Sequence, residues 1–320
     1  MRWLLVGSKG WIGQQVRKHL MELNPKNIVI SIDEHFDSNA SQKIRQLIQF
    51  HSPDRVFLCL GRAYLPPHRV PRNFTSGGIS GTIDDLEHPA ALPINLQDNL
   101  YLPIIFAEEC RKLGIHMTYM GTGCIYEYDE THTVSNQVGF TEKDDPNYDG
   151  SAYSVVKSYT DRMMRDIYGT SCLTLRIRMP IVEDLHPRNF ITKLLKYKTI
   201  VSRANSMTVL PELLPIAIKL AEKGTTGLLN LTNPGTMNHR EILELVAQHW
   251  NIQLQCQFTE DDAAIQNNLR ARRSNNCLDT THLQQLCPSV KPLRDSMSWL
   301  LKEHPRPTEE QLRQLGYSAQ

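Results

Sequence analysis

Three features that assign proteins to specialised classes are missing from this 320-residue sequence. No segment reaches the roughly 18 consecutive apolar residues that a membrane-spanning helix needs. The first residues, MRWLLVGSKGWIG, have too short an apolar run for a signal peptide. The seven cysteines include no CxxC pair, so the sequence suggests neither a disulfide framework nor a zinc cluster. We therefore expect a cytoplasmic protein with reduced thiols, no metal site and no membrane partner.

An excess of charge of one sign is also missing. The 35 Lys and Arg residues are balanced by 34 Asp and Glu residues, for a formal net charge of +1. This balance gives no electrostatic reason to expect nucleic acid as a partner, and any bound anion must be met by a local site. The 40% of hydrophobic residues are enough to bury a sizeable core.

Short apolar runs alternate with longer amphipathic segments through the first half of the chain. This pattern is typical of βαβ units and predicts an α/β fold, a Rossmann-type doubly wound parallel sheet. After Pro180 the pattern loosens. We predict one domain at 1–180, with 205–233 packing back on it, and a smaller, mostly helical region at 181–320. The predicted strands are 2–7, 27–32, 54–61, 115–121, 173–179 and 227–233.

The first predicted strand leads into GSKGWIG, with glycines in the spacing GxxGxxG. Glycine lets the backbone approach a pyrophosphate at the N-terminus of the following helix, although a plain tight turn is the alternative. Asp33, at the end of the second strand, can accept hydrogen bonds from ribose hydroxyls, which favours NADH. Lys9 or Arg62 could instead receive a 2′-phosphate, so NADPH stays open. The predicted cofactor-binding residues here are Gly7, Lys9, Gly10, Trp11, Ile12, Gly13, Asp33, Gly61 and Arg62, and the stretch 61–86 predicts an irregular active-site loop.

The segment GSAYSVVKSYTDRM places Tyr153 and Lys157 one helical turn apart. A lysine ammonium beside a phenol lowers the pKa of the phenol, which suits Tyr153 to protonate a carbonyl oxygen as hydride arrives. Thr122, at a strand end, can supply a second hydrogen bond to that oxygen. A solvated YxxxK pair is the alternative. Together with GxxGxxG, the pattern resembles the extended short-chain dehydrogenase/reductase superfamily.

Longer blocks resemble a more specific family, the bifunctional nucleotide-rhamnose synthases of plants and some large DNA viruses. Those enzymes are UDP-4-keto-6-deoxy-D-glucose 3,5-epimerase/4-reductases, similar to dTDP-4-dehydrorhamnose reductases. The resemblance implies that residues 1–180 bind NADPH or NADH and that 181–320 bind a UDP- or dTDP-linked sugar. The blocks are GTGCIYEY (121–128), RIRMPIVEDLHPRNFITKLLKY (176–197), NSMTVLPELLPIAI (205–218), LLNLTNPGTMNHREILE (228–244) and RRSNNCLDTTHL (272–283).

A 4-keto sugar has acidic hydrogens at C3 and C5, so a base and an acid can invert both centres before the carbonyl is reduced. Cys124 is the candidate base, since a thiol near cations exchanges protons near neutrality; a small buried filler is the alternative. The resemblance implies that Lys193 is its partner, with a solvated helix lysine as the alternative. It also implies that Asn189 and Arg273 lie near the nucleotide diphosphate and that Asn99 contributes to the cofactor site by holding a proton-relay water.

Other functions stay open at this point. A plain nucleotide-4-ketosugar reductase needs no epimerising thiol, and a non-catalytic NAD(P)-binding regulatory protein needs only the fold. A 4,6-dehydratase is disfavoured, because those enzymes place acidic residues where this chain has Gly123 and Cys124. The resemblance further implies a homodimer and a separate upstream 4,6-dehydratase that supplies the ketosugar.

Overall fold

The computed structural model describes residues 1–34, 36, 39–66, 69–70, 80–259 and 269–317. Eight strands lie in these ranges: β1 Arg2–Val6, β2 Ile28–Ile32, β3 Arg55–Leu58, β4 His116–Thr122, β5 Cys172–Ile177, β6 Thr199–Val201, β7 Gly227–Asn230 and β8 Gln257–Thr259. Six of them form one parallel sheet in the order β2-β1-β3-β4-β5-β7. The strand order reverses between β1 and β3, and such a switch point opens the crevice where doubly wound sheets bind ligands.

The helices of the described ranges cover both faces of this sheet and fill the C-terminal part of the chain. They are α1 Trp11–Leu23, α2 Ala40–His51, α3 Leu92–Leu96, α4 Leu102–Lys112, α5 Ala152–Tyr168, α6 Phe190–Leu195, α7 Leu210–Glu222, α8 His239–Trp250, α9 Thr281–Leu286, α10 Leu293–Glu303 and α11 Glu309–Gln314. A π-helical turn, Gln97–Tyr101, joins α3 to α4. Across the described ranges, no helix combines the length and the apolar character needed to span a bilayer.

Strand β1 shows why the sheet is buried on both faces. Trp3 and Leu5 point into a core shared with α1 and α7, whereas Leu4 and Val6 point into a second core shared with α2, α4 and α5. Side chains alternate along a strand, so an unbroken apolar run supplies both layers. The predicted Rossmann-type α/β fold is confirmed. Strand β3 is shorter than the predicted 54–61, because the apolar composition continues after the chain has left the β-ladder.

The C-terminal part has a core of its own. It is built from α6, α8, α10 and α11, with residues such as Ile191, Leu243, Met297 and Leu312, while β6 and β8 form a small parallel pair. In contrast, β7 pairs with β5, and α7 belongs to the core beneath the main sheet. The domain boundary at residue 180 stays a prediction. In the predicted loop 61–86, residues 67–68 and 71–79 lie outside the described residues.

Candidate functional site

The glycines after β1 allow a close approach that no other residue would permit. Gly7 has φ +80°, and a Cβ there would lie 3.0 Å from the carbonyl oxygen of Cys59 after β3. A Cβ on Gly13 would lie only 2.1 Å from the Gly7 oxygen. No side chain caps the N-terminus of α1, so its N–H groups remain available to an anion. This loop at the switch point therefore fits the pyrophosphate of a dinucleotide.

Asp33 stabilises the conformation of the glycine loop after β1. Its carboxylate accepts hydrogen bonds from the Ser8 hydroxyl at 2.6 Å and from the Lys9 N–H at 2.8 Å. A carboxylate has about four acceptor positions, so room remains for ribose hydroxyls. Arg62 is engaged elsewhere, because its guanidinium forms an ion pair with Asp98. Of Lys9 and Arg62, the two side chains that could receive a 2′-phosphate, Arg62 therefore already has an anionic partner.

Trp11 and Ile12 pack at the start of α1. Trp11 is buried and stacks on His186, with ring centroids 5.4 Å apart and planes 11° apart. Ile12 packs against the core beneath the sheet. Their side chains fix the helix, which leaves the backbone of the loop to face the crevice.

Asn99 lies fully buried in the π-helical turn and holds the loop after β3. Its amide accepts from the Arg62 N–H at 2.7 Å and donates to the Arg62 carbonyl at 2.8 Å. A Cβ on Gly61 would be 3.5 Å from the Asn99 amide oxygen, and the Asn99 carbonyl accepts from Thr160. The structure therefore gives Asn99 a positioning task at the crevice, and its role toward a relay water stays a prediction.

The end of β4 is tied directly to the start of α5. The Thr122 hydroxyl accepts the Cys124 N–H at 3.1 Å, and the Ser154 hydroxyl donates to the Cys124 carbonyl at 2.7 Å. Ser151 caps α5 by accepting the Ser154 N–H at 3.1 Å. These bonds bring Tyr153 beside the strand end, so the structure places Thr122, Cys124 and Tyr153 together.

The pKa of Tyr153 is shifted in the direction opposite to the predicted one. Burial raises the pKa of Tyr153 above its ordinary range, a charge on Cys124 raises it further, and a hydrogen bond with Thr122 acts the other way. The Lys157 ammonium is paired with a different phenol: it donates to the hydroxyl of Tyr119 and lies 4.6 Å from the centroid of that ring. The prediction that Lys157 lowers the pKa of Tyr153 is therefore wrong.

Lys157 is nonetheless part of the site. It is only 3% exposed, and its Nζ would lie 4.0 Å from a Cβ on Gly61, which puts it at the cofactor crevice. Burial lowers its pKa to about 8, against the attraction of Asp161 and of a charged Cys124. Lys157 thus stands between the crevice and the reactive strand end.

Lys193 lies on α6, within electrostatic reach of Cys124. Its side chain keeps exposed surface, yet desolvation by the surrounding protein lowers the pKa of Lys193, and the charges of Arg188 and Arg273 add to that effect. A charge on Cys124 raises the pKa of Lys193, as it does for Lys157. The half-buried thiol of Cys124 therefore lies within electrostatic reach of both lysines.

The two residues predicted near the diphosphate already have partners within the protein. Arg273 forms an ion pair with Asp84. Burial alone would raise the pKa of Asp84, but hydrogen bonds from Arg273, Ala271 and Thr82 lower it to about 2. Arg273 keeps a third of its side chain exposed, at 35%. Asn189 is 1% exposed, and its amide caps α6 and donates to the Val182 carbonyl at 3.0 Å. Only Arg273 presents free surface to a ligand.

Three side chains of the site escape prediction from the sequence. Tyr119 is the partner of Lys157, Glu87 accepts the Ala152 N–H at 2.7 Å at the start of α5, and Arg178 lies buried beside Gly123. A signal exists only for Arg178, because RIRM puts charged residues into an otherwise apolar strand. All seven cysteines are free thiols, and within the described ranges no cluster of three or more His, Cys, Asp or Glu side chains could hold a metal ion.

Comparison with known proteins gives the family. Residues 3–199 match the NAD dependent epimerase/dehydratase family. The chain belongs to this family. The nicotinamide dinucleotide that its description implies fits the glycine cradle and the open N-terminus of α1, so the predicted class of cofactor is confirmed.

Proteins with similar sequences cover most of this chain. Protein L780 of Acanthamoeba polyphaga mimivirus is 42% identical over 292 residues, which are 91% of this chain and 94% of the viral one. Its crystal structure, described as a UDP-rhamnose synthase, has a TM-score of 0.85 and 39% identity and covers 95% of this chain and 99% of that one. A bifunctional dTDP-4-dehydrorhamnose 3,5-epimerase/dTDP-4-dehydrorhamnose reductase of Arabidopsis thaliana is 37% identical over 242 residues, 74% of this chain and 78% of that protein. The resemblance to nucleotide-rhamnose synthases is confirmed.

Proposed function

We propose that this protein converts UDP-4-keto-6-deoxy-D-glucose, or its dTDP form, to the nucleotide-linked L-rhamnose. It does so by 3,5-epimerisation followed by NAD(P)H-dependent reduction at C4 in one site. The observation that carries the proposal is the single strand end where Thr122 and Cys124, one glycine apart, are tied to the helix that bears Tyr153. The names of the viral and plant relatives support the same reaction.

The epimerisation is assigned to Cys124 and Lys193. The thiolate of Cys124 removes the proton from C3 or C5, where the neighbouring carbonyl makes the hydrogen acidic, and the ammonium of Lys193 returns a proton to the other face. Because its surroundings lower the pKa of Lys193, that ammonium is a better proton donor near neutral pH. Each inversion takes one proton from the sugar and returns one, so the step needs no other reactant.

The reduction is assigned to Thr122, Tyr153 and Lys157. When bound, the reduced nicotinamide supplies hydride to C4. Tyr153 gives its proton to the carbonyl oxygen, and its raised pKa keeps the phenol protonated and ready to donate at neutral pH. The Thr122 oxygen accepts the Cys124 N–H, and its own proton, which meets Tyr153 in the absence of substrate, is offered to the same substrate oxygen once the sugar is bound. Lys157 holds positive charge at the crevice between these groups and the cofactor.

Product analysis tests this proposal. The protein is incubated with UDP- and dTDP-4-keto-6-deoxy-D-glucose in separate tubes, with NADPH or NADH, and the sugar is identified by NMR. We expect cofactor oxidation and nucleotide-L-rhamnose from at least one sugar. A 6-deoxy sugar with unchanged configuration at C3 and C5 would instead indicate a plain reductase. Tight cofactor binding without turnover on either sugar would indicate a regulatory protein and contradict the proposal.

Several further points belong to the same proposal. Since the site as proposed starts from a 4-keto sugar, a 4,6-dehydratase activity must form that sugar from a nucleotide glucose, and we propose that a separate enzyme supplies it, as the resemblance implies. We also propose a homodimer and a cytoplasmic location, both implied by the resemblance. The matched test for the dehydratase is formation of the final product from UDP-glucose only when such an enzyme is added, and size-exclusion chromatography with light scattering tests the dimer.

A further inference from the structure

Arg178 carries a buried positive charge without a negative partner. It follows β5 and is 1% exposed. Its guanidinium donates to the carbonyl of Gly123 at 2.9 Å, to the Ser274 hydroxyl at 2.9 Å and to the Asn205 amide oxygen, which are all neutral acceptors. Among the described residues it has no carboxylate within ion-pair distance, and its Nε has no protein acceptor. A buried cation without a counter-charge is costly, so this arrangement calls for an anion.

Cys124 directly follows Gly123, whose carbonyl binds this cation. A Cβ on Gly123 would lie 3.0 and 3.2 Å from Cγ and Cδ of Arg178, so the arginine packs flat along the residue that precedes the thiol. Its bond to the Gly123 carbonyl holds the same peptide that carries the Cys124 N–H. Burial lowers the pKa of Arg178, and a charge on Cys124 is the largest influence that raises it. Geometry and charge therefore couple the two side chains.

We propose that Arg178 is the positioning residue for epimerisation, fixing the Gly123–Cys124 peptide and supplying the counter-charge of the Cys124 thiolate. The catalytic meaning of this inference rests on the proposed epimerase function. The two lysines cannot take this place: Lys157 is bound to Tyr119, and Lys193 must give up its proton. An arginine keeps its charge throughout, because its guanidinium stays protonated in proteins. Protons move between the sugar, Cys124 and Lys193, and Arg178 neither gains nor loses one.

The first test needs no substrate. Iodoacetamide reacts with the thiolate, and the tryptic peptide 113–143 contains Cys124 as its only cysteine, so mass spectrometry follows this thiol alone. In R178Q we expect alkylation at pH 7.5 to be about tenfold slower or more, because the thiolate loses the positive charge that stabilises it. R178K, which keeps the charge, should recover most of the rate. S274A is the matched control, since it removes an acceptor of Arg178 without removing charge, and its rate should stay within about threefold of wild type.

The second test separates epimerisation from reduction. In heavy water, R178Q should incorporate deuterium at C3 and C5 about tenfold more slowly or worse. Its reduction of an already epimerised 4-keto-L-rhamnose nucleotide should fall by a clearly smaller factor, because Arg178 acts on the Thr122 hydroxyl only through the Cys124 N–H. Equal losses of exchange and reduction would show a merely structural role and overturn the proposal. An alkylation rate in R178Q equal to that of the wild type would also overturn the proposal, as would an R178K variant alkylated as slowly as R178Q. If R178Q does not fold, the comparison of R178K with the wild type is the test. Slow alkylation in R178Q together with no exchange by the wild type on any ketosugar would refute the proposed function while leaving the coupling of Arg178 and Cys124 in place.

Discussion

Replacing Lys157 with methionine should stabilise the protein and abolish reduction. Burial lowers the pKa of Lys157 from an ordinary 10.5 to about 8. That difference corresponds to about 3 kcal/mol of unfavourable free energy at neutral pH, at about 1.36 kcal/mol per pKa unit. The substitution leaves the buried Tyr119 hydroxyl without a partner, which costs about 1–3 kcal/mol. We therefore expect K157M to be about 1 kcal/mol more stable at pH 7, and the double variant Y119F/K157M to approach the full 3 kcal/mol.

The pH dependence identifies the charge as the cause. Between about pH 8 and 10.5 the unfolded chain still binds the Lys157 proton and the folded chain does not, so the wild type gains stability as the pH rises through this window. The stability difference between Y119F/K157M and wild type should shrink by about 2 kcal/mol from pH 7 to pH 9.5. Urea unfolding of the cofactor-free proteins at both pH values measures it. A difference that is the same at both pH values would refute the reasoning.

Three further substitutions test other parts of the site. Gly13→Ala puts a Cβ 2.1 Å from the Gly7 oxygen, so the affinity for NAD(P)H, measured by cofactor fluorescence, should fall by about tenfold or more. Unchanged affinity would exclude this loop as the binding site of the pyrophosphate. Tyr153→Phe should slow reduction by about 10²–10⁴-fold while deuterium exchange at C3 and C5 continues, and comparable losses of both would remove the assigned role. Asp84→Asn should lower the free energy of unfolding by about 2 kcal/mol at pH 7, because Asp84 has a pKa of about 2 in the folded protein. Urea unfolding should show that this loss fades as the pH falls from about 4 towards 2. A loss that does not depend on pH would contradict the ion pair with Arg273.

The parts of the fold and site that follow local rules could be predicted from the sequence. A buried strand followed by GxxGxxG fixes the crevice at the end of β1, because only glycine allows Gly13 to approach Gly7 so closely. Helical spacing puts Tyr153 and Lys157 on one face of α5, and the strand before it ends at Thr122, one residue beyond the predicted range 115–121. Each of these features depends on neighbours a few residues away.

The partners of individual side chains could not be predicted, because they come from distant segments. Lys157 pairs with Tyr119, 38 residues away, rather than with the tyrosine one turn before it. Arg178 reaches Ser274 across 96 residues, and Arg273 reaches Asp84 across 189. A motif records which groups are present, but burial and long-range packing decide which charges meet.

Deuterium incorporation at C3 and C5 of the 4-keto sugar, in heavy water and without reduced cofactor, tests the central claim most directly. We predict that the wild type labels both positions and that Cys124→Ser loses about 10²-fold or more of this exchange, because it lacks the base. The same variant should still reduce an already epimerised 4-keto-L-rhamnose nucleotide, which serves as the control for folding and cofactor binding. Exchange that persists in Cys124→Ser would contradict the claim that one strand end, with Thr122 for reduction and Cys124 for epimerisation, performs both reactions.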